Sequence, residues 1–265
     1  PGKKLSLTVD AENFLSQSKY LEMDIKDVPS KIDFSISKNY MTRDGLLLLD
    51  ILANNNWKRP VYTIYPSLFN EIGLADYLHR EGMVFRLLPY KNTNVLHNRK
   101  AFALRQFELL SQNFAWGNIN KPGVFLDHTT KQMVAAFRFR QMFAEVAGEL
   151  ISLGELVKAE DLLDLAQSTF PDSKIPHDYF AADFARAYYR IGATKKADVL
   201  VEDIYQSASQ NLDYYLQGQT PGQNTMNNEA QLQAWLMQEM VRISGKYNKE
   251  LEEKLRVDFE SVLSN

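Results

Sequence analysis

No cysteine occurs anywhere in the chain. Disulfides, thiolate nucleophiles and cysteine-ligated metal sites are therefore excluded. Histidine is scarce. His79, His97, His128 and His177 are scattered and form no His-Glu-x-x-His or His-x-His pair, so no metal site is expected. Asp127 beside His128 reads as a helix cap, not as the partner of a general base. No Gly-x-Ser-x-Gly elbow, Gly-x-Gly-x-x-Gly turn or Walker loop is present, which leaves no motif for a serine hydrolase or a nucleotide, and no cofactor is expected. Long hydrophobic runs are missing too. The longest, Leu46 to Ala53, is interrupted by Asp50 and is far too short to span a bilayer. The start Pro1-Gly2-Lys3-Lys4-Leu5 has no apolar signal region and is expected to be a boundary within a longer protein.

Charge of one sign is also lacking overall, at a net of −3, but its distribution is uneven. Residues 1–90 balance at 11 basic and 11 acidic groups; residues 91–137 carry six and two; residues 138–265 carry 13 and 20. An acidic second half argues against nucleic acid as a partner, because phosphate binding needs a basic face. Thirteen tyrosines and fifteen phenylalanines supply an aromatic-rich core and favour order.

The stretch Leu46 to Tyr62 is the most distinctive segment. An apolar run stops at Asn54-Asn55-Asn56, a Trp57-Lys58-Arg59-Pro60 cluster follows, and a short β-like run begins at Val61. Tyr40 to Asn55 reads as a helix with Leu46, Leu49, Asp50 and Ala53 at helical spacing; asparagine tolerates the left-handed position that ends it. Pro60 suits the first position of a strand. Leu5–Val9, Tyr20–Ile25, Ile32–Ile36 and Met83–Leu88 read as further strands, and Ala75–Arg80 as a short helix. Together they predict a small mixed α/β unit over residues 1–95.

From residue 96 to 265 the pattern is helical. Lys100 to Gln112 is one amphipathic stretch. Thr129 and Gln132 have capping-box spacing for a helix running to Leu153. Phe139, Met142, Phe143, Val146, Ala147, Leu150 and Ile151 share one face of it. Gly154, Ala159, Ala166 and Pro171 then fall at the spacing of the second half of a tetratricopeptide repeat. Gly192 and Ala197 repeat the first step 38 residues later, with Ile204 and Ser209 in place of the second alanine and the proline. Gln217 to Asn228 reads as a polar loop, followed by two capping helices, Glu229–Ser244 and Asn248–Leu263. The expected fold class is α+β: a small mixed unit followed by an all-α, tetratricopeptide-like array of helical hairpins.

The block from Leu49 to Tyr62 resembles one found in a family of large, multi-pass bacterial membrane proteins known only as a domain of unknown function. Gly73–Gly82 with Phe85–Pro89, Phe114–Asn118, Ile175–Phe180 and Leu212–Tyr215 agree with it, so the resemblance covers most of the chain. The membrane-embedded half of that family is similar to lipid-sugar-dependent glycosyltransferases, including protein O-mannosyltransferases. The resemblance implies that this chain is the soluble C-terminal part, at the periplasmic face of the inner membrane. It implies a non-catalytic scaffold that recruits an acceptor or a protein partner beside its own membrane-embedded N-terminal region. No catalytic acid of such transferases falls within the chain.

Candidate contact residues follow, each with a structural alternative. Trp57, Lys58 and Arg59 suit a glycan, peptide or headgroup; alternatively Trp57 plugs the helix–strand joint and Arg59 pairs with a local acid. Arg138 and Arg140, with Lys121 and Lys131, form a basic patch or merely a solvated helix start. Tyr189, Tyr214 and Tyr215 are expected to line a peptide groove or to pack; Tyr188 falls at a core position. A free-standing peptide-binding adaptor is a second reading. A third is an enzyme using Asp50, His79 or Glu81, which would need a cleft.

Overall fold

The structure, a computed structural model, describes residues 3–36, 38, 40–92, 99–131, 138–217 and 224–264. The chain divides into two compact units, Pro1–Asn113 and Phe114–Asn265. The division lies beyond the expected 95/96 boundary, because the helix Arg99–Glu108 packs on a strand of the first unit.

The first unit begins with an antiparallel ribbon, β1 (Lys3–Thr8) and β2 (Lys31–Ile36), with Lys3 opposite Ile36 and Thr8 opposite Lys31. Alternation along β2 buries Ile32, Phe34 and Ile36 and exposes Lys31, Asp33 and Ser35, as expected of a ribbon with one wet face. Between the strands lies α1 (Ala11–Ser16), capped by the Asp10 carboxylate, which accepts from the Asn13 amide at 3.0 Å. Tyr20–Ile25, expected as a strand, forms no strand. Lys19–Leu21 and Ile25–Asp27 are single 3₁₀ turns, since Leu21 turns into the core and no partner strand is offered.

α2 (Arg43–Asn55) starts after Thr42, whose hydroxyl caps the Gly45 amide. Asn56 ends it in the left-handed conformation, φ 44°, as the asparagine run predicts. α2 buries Gly45 and Leu52 and half-buries Leu48 and Leu49; Leu46 and Ile51 lie exposed. A three-stranded antiparallel sheet follows in the order β3 (Tyr62–Thr63), β5 (Val84–Leu87), β4 (Leu78–Glu81), with α3 (Ser67–Glu71) between β3 and β4. Ala75–Arg80 is thus helical only as a 3₁₀ turn over Ala75–Tyr77. Beyond it, cross-strand pairing of Leu78 with Leu87 and of His79 with Arg86 overrides the local helical preference. Phe14, Leu21, Ile32, Phe69, Ile72, Leu74 and Leu88 form the core. α4 (Arg99–Glu108) closes the unit and runs into a π-helical turn, Leu109–Asn113.

Gly73 is the tightest point of this unit. Its φ is +80°, and a Cβ there would lie 2.1 Å from the Ser35 carbonyl oxygen. This close approach lets the segment Gly73–Tyr77 cover the outer edge of β2, where the Tyr77 hydroxyl donates to the Asp33 carbonyl at 3.0 Å.

The second unit is helical throughout its regular structure among the described residues. Residues 128–131 form a helical turn capped by Asp127, whose carboxylate accepts from the Thr130 amide and hydroxyl at 3.0 and 2.8 Å. Asp127, not Thr129, thus supplies the cap; Gln132, the far member of the expected capping box, lies outside the described residues. Arg138 sits at φ 51°, so the helix expected from Thr129 to Leu153 is not continuous, and α5 spans Phe139–Ser152. α6 (Leu156–Thr169), α7 (Ala181–Arg190), α8 (Thr194–Gln217), α9 (Asn224–Tyr247) and α10 (Lys249–Ser264) follow. α9 starts inside the expected loop Gln217–Asn228, because packing along the equally long α8 outweighs the weak helical preference of its asparagines.

α5 packs on α6 and α7, α7 on α8 and α9, and α9 on α8 and α10. Ala159, Ala166 and Ala197 are fully buried, which admits the close helix approach that the small-residue spacing predicts. Gly154, at φ +77°, turns the chain between α5 and α6. Trp116 meets Phe139, Phe143 and Phe170 at 5.2–5.7 Å between ring centres, closing the end of the stack. No helix of the described residues is long and apolar enough to cross a membrane.

Candidate functional site

In the first unit the Trp57 cluster sits where α2 gives way to β3. Asn56 and Trp57 are both left-handed, φ 44° and 58°, an uncommon state for a bulky residue. Two contacts hold it. The Trp57 indole donates to the Thr8 carbonyl at 2.9 Å, and its ring meets Phe14 edge-on at 5.9 Å. Trp57 is buried, so it is a plug and offers no face to a ligand. Lys58 and Arg59 are exposed. The Arg59 backbone exchanges two hydrogen bonds with the Asn55 side chain, and its guanidinium has no carboxylate partner among the described residues. Beside them Leu7, Gln17, Asn55, Trp57 and Arg86 enclose a cavity of about 10 Å³, room for one water.

The chemistry of this unit is concentrated in residues that sequence reading passed over or named only as a remote alternative. Glu81 and Arg86 are both buried and pair at 3.2 Å. Tyr20 and Tyr62 both donate to the Glu81 carboxylate, Tyr62 at 3.0 Å. Arg86 also donates to the Gln17 carbonyl and to the Ser18 hydroxyl, at 3.0 and 2.7 Å. Burial, reinforced by the Glu81 charge, pushes both phenols up from the ordinary tyrosine range, Tyr20 far up. His79 is bonded to the Tyr90 carbonyl at 2.8 Å and stacks on Phe102; burial lowers its basicity. With every Glu81 oxygen engaged, the cluster ties the sheet to the N-terminal turns. Asp50 lies apart on exposed α2, where it accepts from Asn54. The three residues weighed as catalytic therefore do not meet in a cleft. No alternation along β4 or β5 flags an inward acid–base pair, since Leu78, His79 and Glu81 are all buried on β4 and Arg86 and Leu87 on β5.

In the second unit Arg140 is not part of a surface patch. It is buried, and its guanidinium donates to the carbonyls of Phe170, Ile175 and Pro176, with Asp178 at 3.9 Å. The segment between α6 and α7 has irregular backbone, and Arg140 satisfies the carbonyls that no helix can. His177 lies in the same cluster. Its amide donates to Asp172 at 2.8 Å, Ser207 donates to the other Asp172 oxygen, and burial pulls the imidazole down to about 4. Arg138, by contrast, is exposed at the helix start, as are Lys121 and part of Lys131.

The tyrosines separate by role. Tyr189 is buried, stacked on Tyr247 at 4.4 Å, and bonded to Asp198, so it packs and does not face a groove. Tyr188 donates to Asp164 from the core, as its position predicts. Tyr214 is exposed on α8 and Tyr215 half-buried beside it. A pair not foreseen from sequence lies where α7 and α9 meet: exposed Tyr179 against half-buried Trp235, 4.9 Å apart. On the same two helices Arg186 and Arg242 bracket the buried Glu239 carboxylate. A surface groove of about 550 Å³ runs along α6 and α8, lined by Asp164, Gln167, Lys195, Lys196 and Asp203, with Lys196 bridging Glu160 and Asp164. No group of acids and histidines among the described residues is arranged to hold a metal ion.

No curated protein and no solved structure matches the chain. Residues 1–103, from β1 into α4, match the family model described as TMEM260-associated domain 2, so the first unit carries a TMEM260-related domain.

Proposed function

We propose that the chain is a non-catalytic protein-interaction module, the periplasmic part of a membrane-anchored, glycosyltransferase-like protein, in which the helical unit recruits an acceptor or assembly partner. The observation that carries this reading is the stacking of α5, α7 and α9, each joined by a short connection to the helix packed beside it or built on its neighbour. This stacking supports a tetratricopeptide-like array, in which successive hairpins would present one continuous face to an extended ligand. On that face Tyr179 and Trp235 offer aromatic area, and Arg186 and Arg242 offer donors already held in place by Glu239. Tyr214, against Tyr215 on α8, is a second exposed aromatic. The match of residues 1–103 to a TMEM260-related domain supports a membrane-protein setting through its name alone.

The test uses the full product of the native gene. It is purified with and without residues 114–265, and co-purifying envelope proteins are identified by mass spectrometry. Partners lost on deletion, and lost again in a Tyr179→Ala, Trp235→Ala double variant, support recruitment. An unchanged partner set refutes it. A gene product with no hydrophobic region ahead of residue 1 favours the free-standing adaptor instead.

A further inference from the structure

The two edges of the β1–β2 ribbon are treated differently. The Val9 amide donates to the Ser30 carbonyl at 2.9 Å, which fixes the alternation of the ladder: residues 3, 5 and 7 of β1 bond inward to β2, and Lys4, Ser6 and Thr8 point their amides and carbonyls outward. By the same rule Asp33 and Ser35 face outward from β2, and there the edge is closed by Tyr77 and Gly73. On β1, only the Thr8 carbonyl is taken, by the Trp57 indole. Lys4 and Ser6 keep their outward backbone groups free of any hydrogen bond from a described residue, and both residues are exposed. A free edge of this kind accepts a further strand.

We infer that β1 is a docking edge for an extended peptide segment in which acidic residues alternate with apolar ones. Charge sets the first requirement. Lys3 and Lys4 have no carboxylate within ion-pair distance among the described residues, whereas the nearby Asp33 and Asp76 are already engaged by Lys31 and Lys91. An added strand that places an acid opposite Lys4 meets that ammonium group, while Lys3 lies on the other face beside Leu5. The pleat sets the second. Leu5 and Leu7 are incompletely covered on the opposite face, so the alternate side chains of the strand meet apolar surface. A second copy of β1 fits worse, since it brings two more lysines and no acid. This edge belongs to the first unit, and the inference stands independently of recruitment by the helical unit.

The test measures amide hydrogen exchange by NMR on the whole chain with acetyl-Val-Glu-Val-Glu-Val-amide as the probe. Lys4 and Ser6 are expected to slow at least tenfold under saturating probe, with Leu5 and Leu7 unchanged because they are already bonded to β2. Lys4→Glu is expected to weaken the probe about fivefold, the scale of one exposed ion pair. A probe N-methylated at the amides facing β1 should not bind. Three results overturn the inference: no slowing at millimolar probe, equal affinity for acetyl-Val-Lys-Val-Lys-Val-amide, or slowing that appears without probe as protein concentration rises, which would make a second copy the occupant.

Discussion

Gly73→Ala tests whether the cover of β2 depends on a backbone that no side chain can replace. The added Cβ would lie 2.1 Å from the Ser35 oxygen, against 3.4 Å or more for an ordinary contact, so either the turn or the strand must retreat by about an ångström. A left-handed alanine alone costs about 1–2 kcal/mol. Retreat adds the loss of the Tyr77–Asp33 hydrogen bond, about 1 kcal/mol, and repacking around Ile72 and Leu74, about another 1–2 kcal/mol. The expected total is about 3–5 kcal/mol. Gly154→Ala is the control: its φ is +77°, but nothing lies within 4 Å of the added atom, so only the left-handed cost of about 1–2 kcal/mol applies. Urea denaturation followed at the amides of Leu74 and Leu162 reads each unit separately. Equal costs for the two substitutions would show that backbone conformation alone matters and that the close approach to β2 does not.

Trp57→Phe keeps an apolar plug but removes the bond to the Thr8 carbonyl and part of the Phe14 contact; a loss of about 1–2 kcal/mol is expected in the same urea titration. Arg140→Met leaves three buried carbonyls without a donor and should cost about 3 kcal/mol, seen as early exchange of the segment between α6 and α7. Ala159→Leu overpacks a fully buried position between helices and should lower stability by about 1–3 kcal/mol; an unchanged melting temperature would show the hairpin register to be wrong. His177 gives the second unit an acid sensitivity. Its folded value of about 4 lies below the ordinary 6.5, so above pH 6.5 it contributes nothing, and between pH 6.5 and 4 the unfolded chain takes the proton first. Stability falls through that window by at most about 3 kcal/mol. Asp178, raised by burial, acts in the opposite sense, so the readout is the difference in pH profile between the parent and His177→Gln.

What the sequence revealed was what local chemistry decides. The asparagine run ended α2 at Asn56, Asp127 capped a helix, and Gly154 with Ala159 and Ala166 marked a close helix pair, all within a few residues of their cause. What stayed hidden depends on distant partners. Leu78 to Glu81 became a strand because Val84 to Leu87 lay alongside. Arg140 read as a solvated helix start, yet the carbonyls it serves are about thirty residues on, and no periodicity announces an irregular segment that needs a donor. Tyr189 stayed open between a groove and packing because Tyr247, which covers it, comes from another helix. The same holds for Glu81 and Arg86. Nothing local to β4 and β5 announces that Glu81 and Arg86 pair in the core beneath the two phenols that bond Glu81.

The buried Arg86 also sets an order of events. It donates to the Gln17 carbonyl across 69 residues, and Tyr20 reaches Glu81 across 61, so the N-terminal turns have no permanent place until β5 has been made. During synthesis the apolar side chains of Phe14, Leu21 and Ile32 must wait, uncovered, for that moment. The helical unit has no such delay, since α6 packs on α5 as soon as it emerges and each later helix is laid on a finished neighbour. The first unit is therefore the interval in which the nascent chain needs protection, and a chain cut short before Arg86 has nothing to close it.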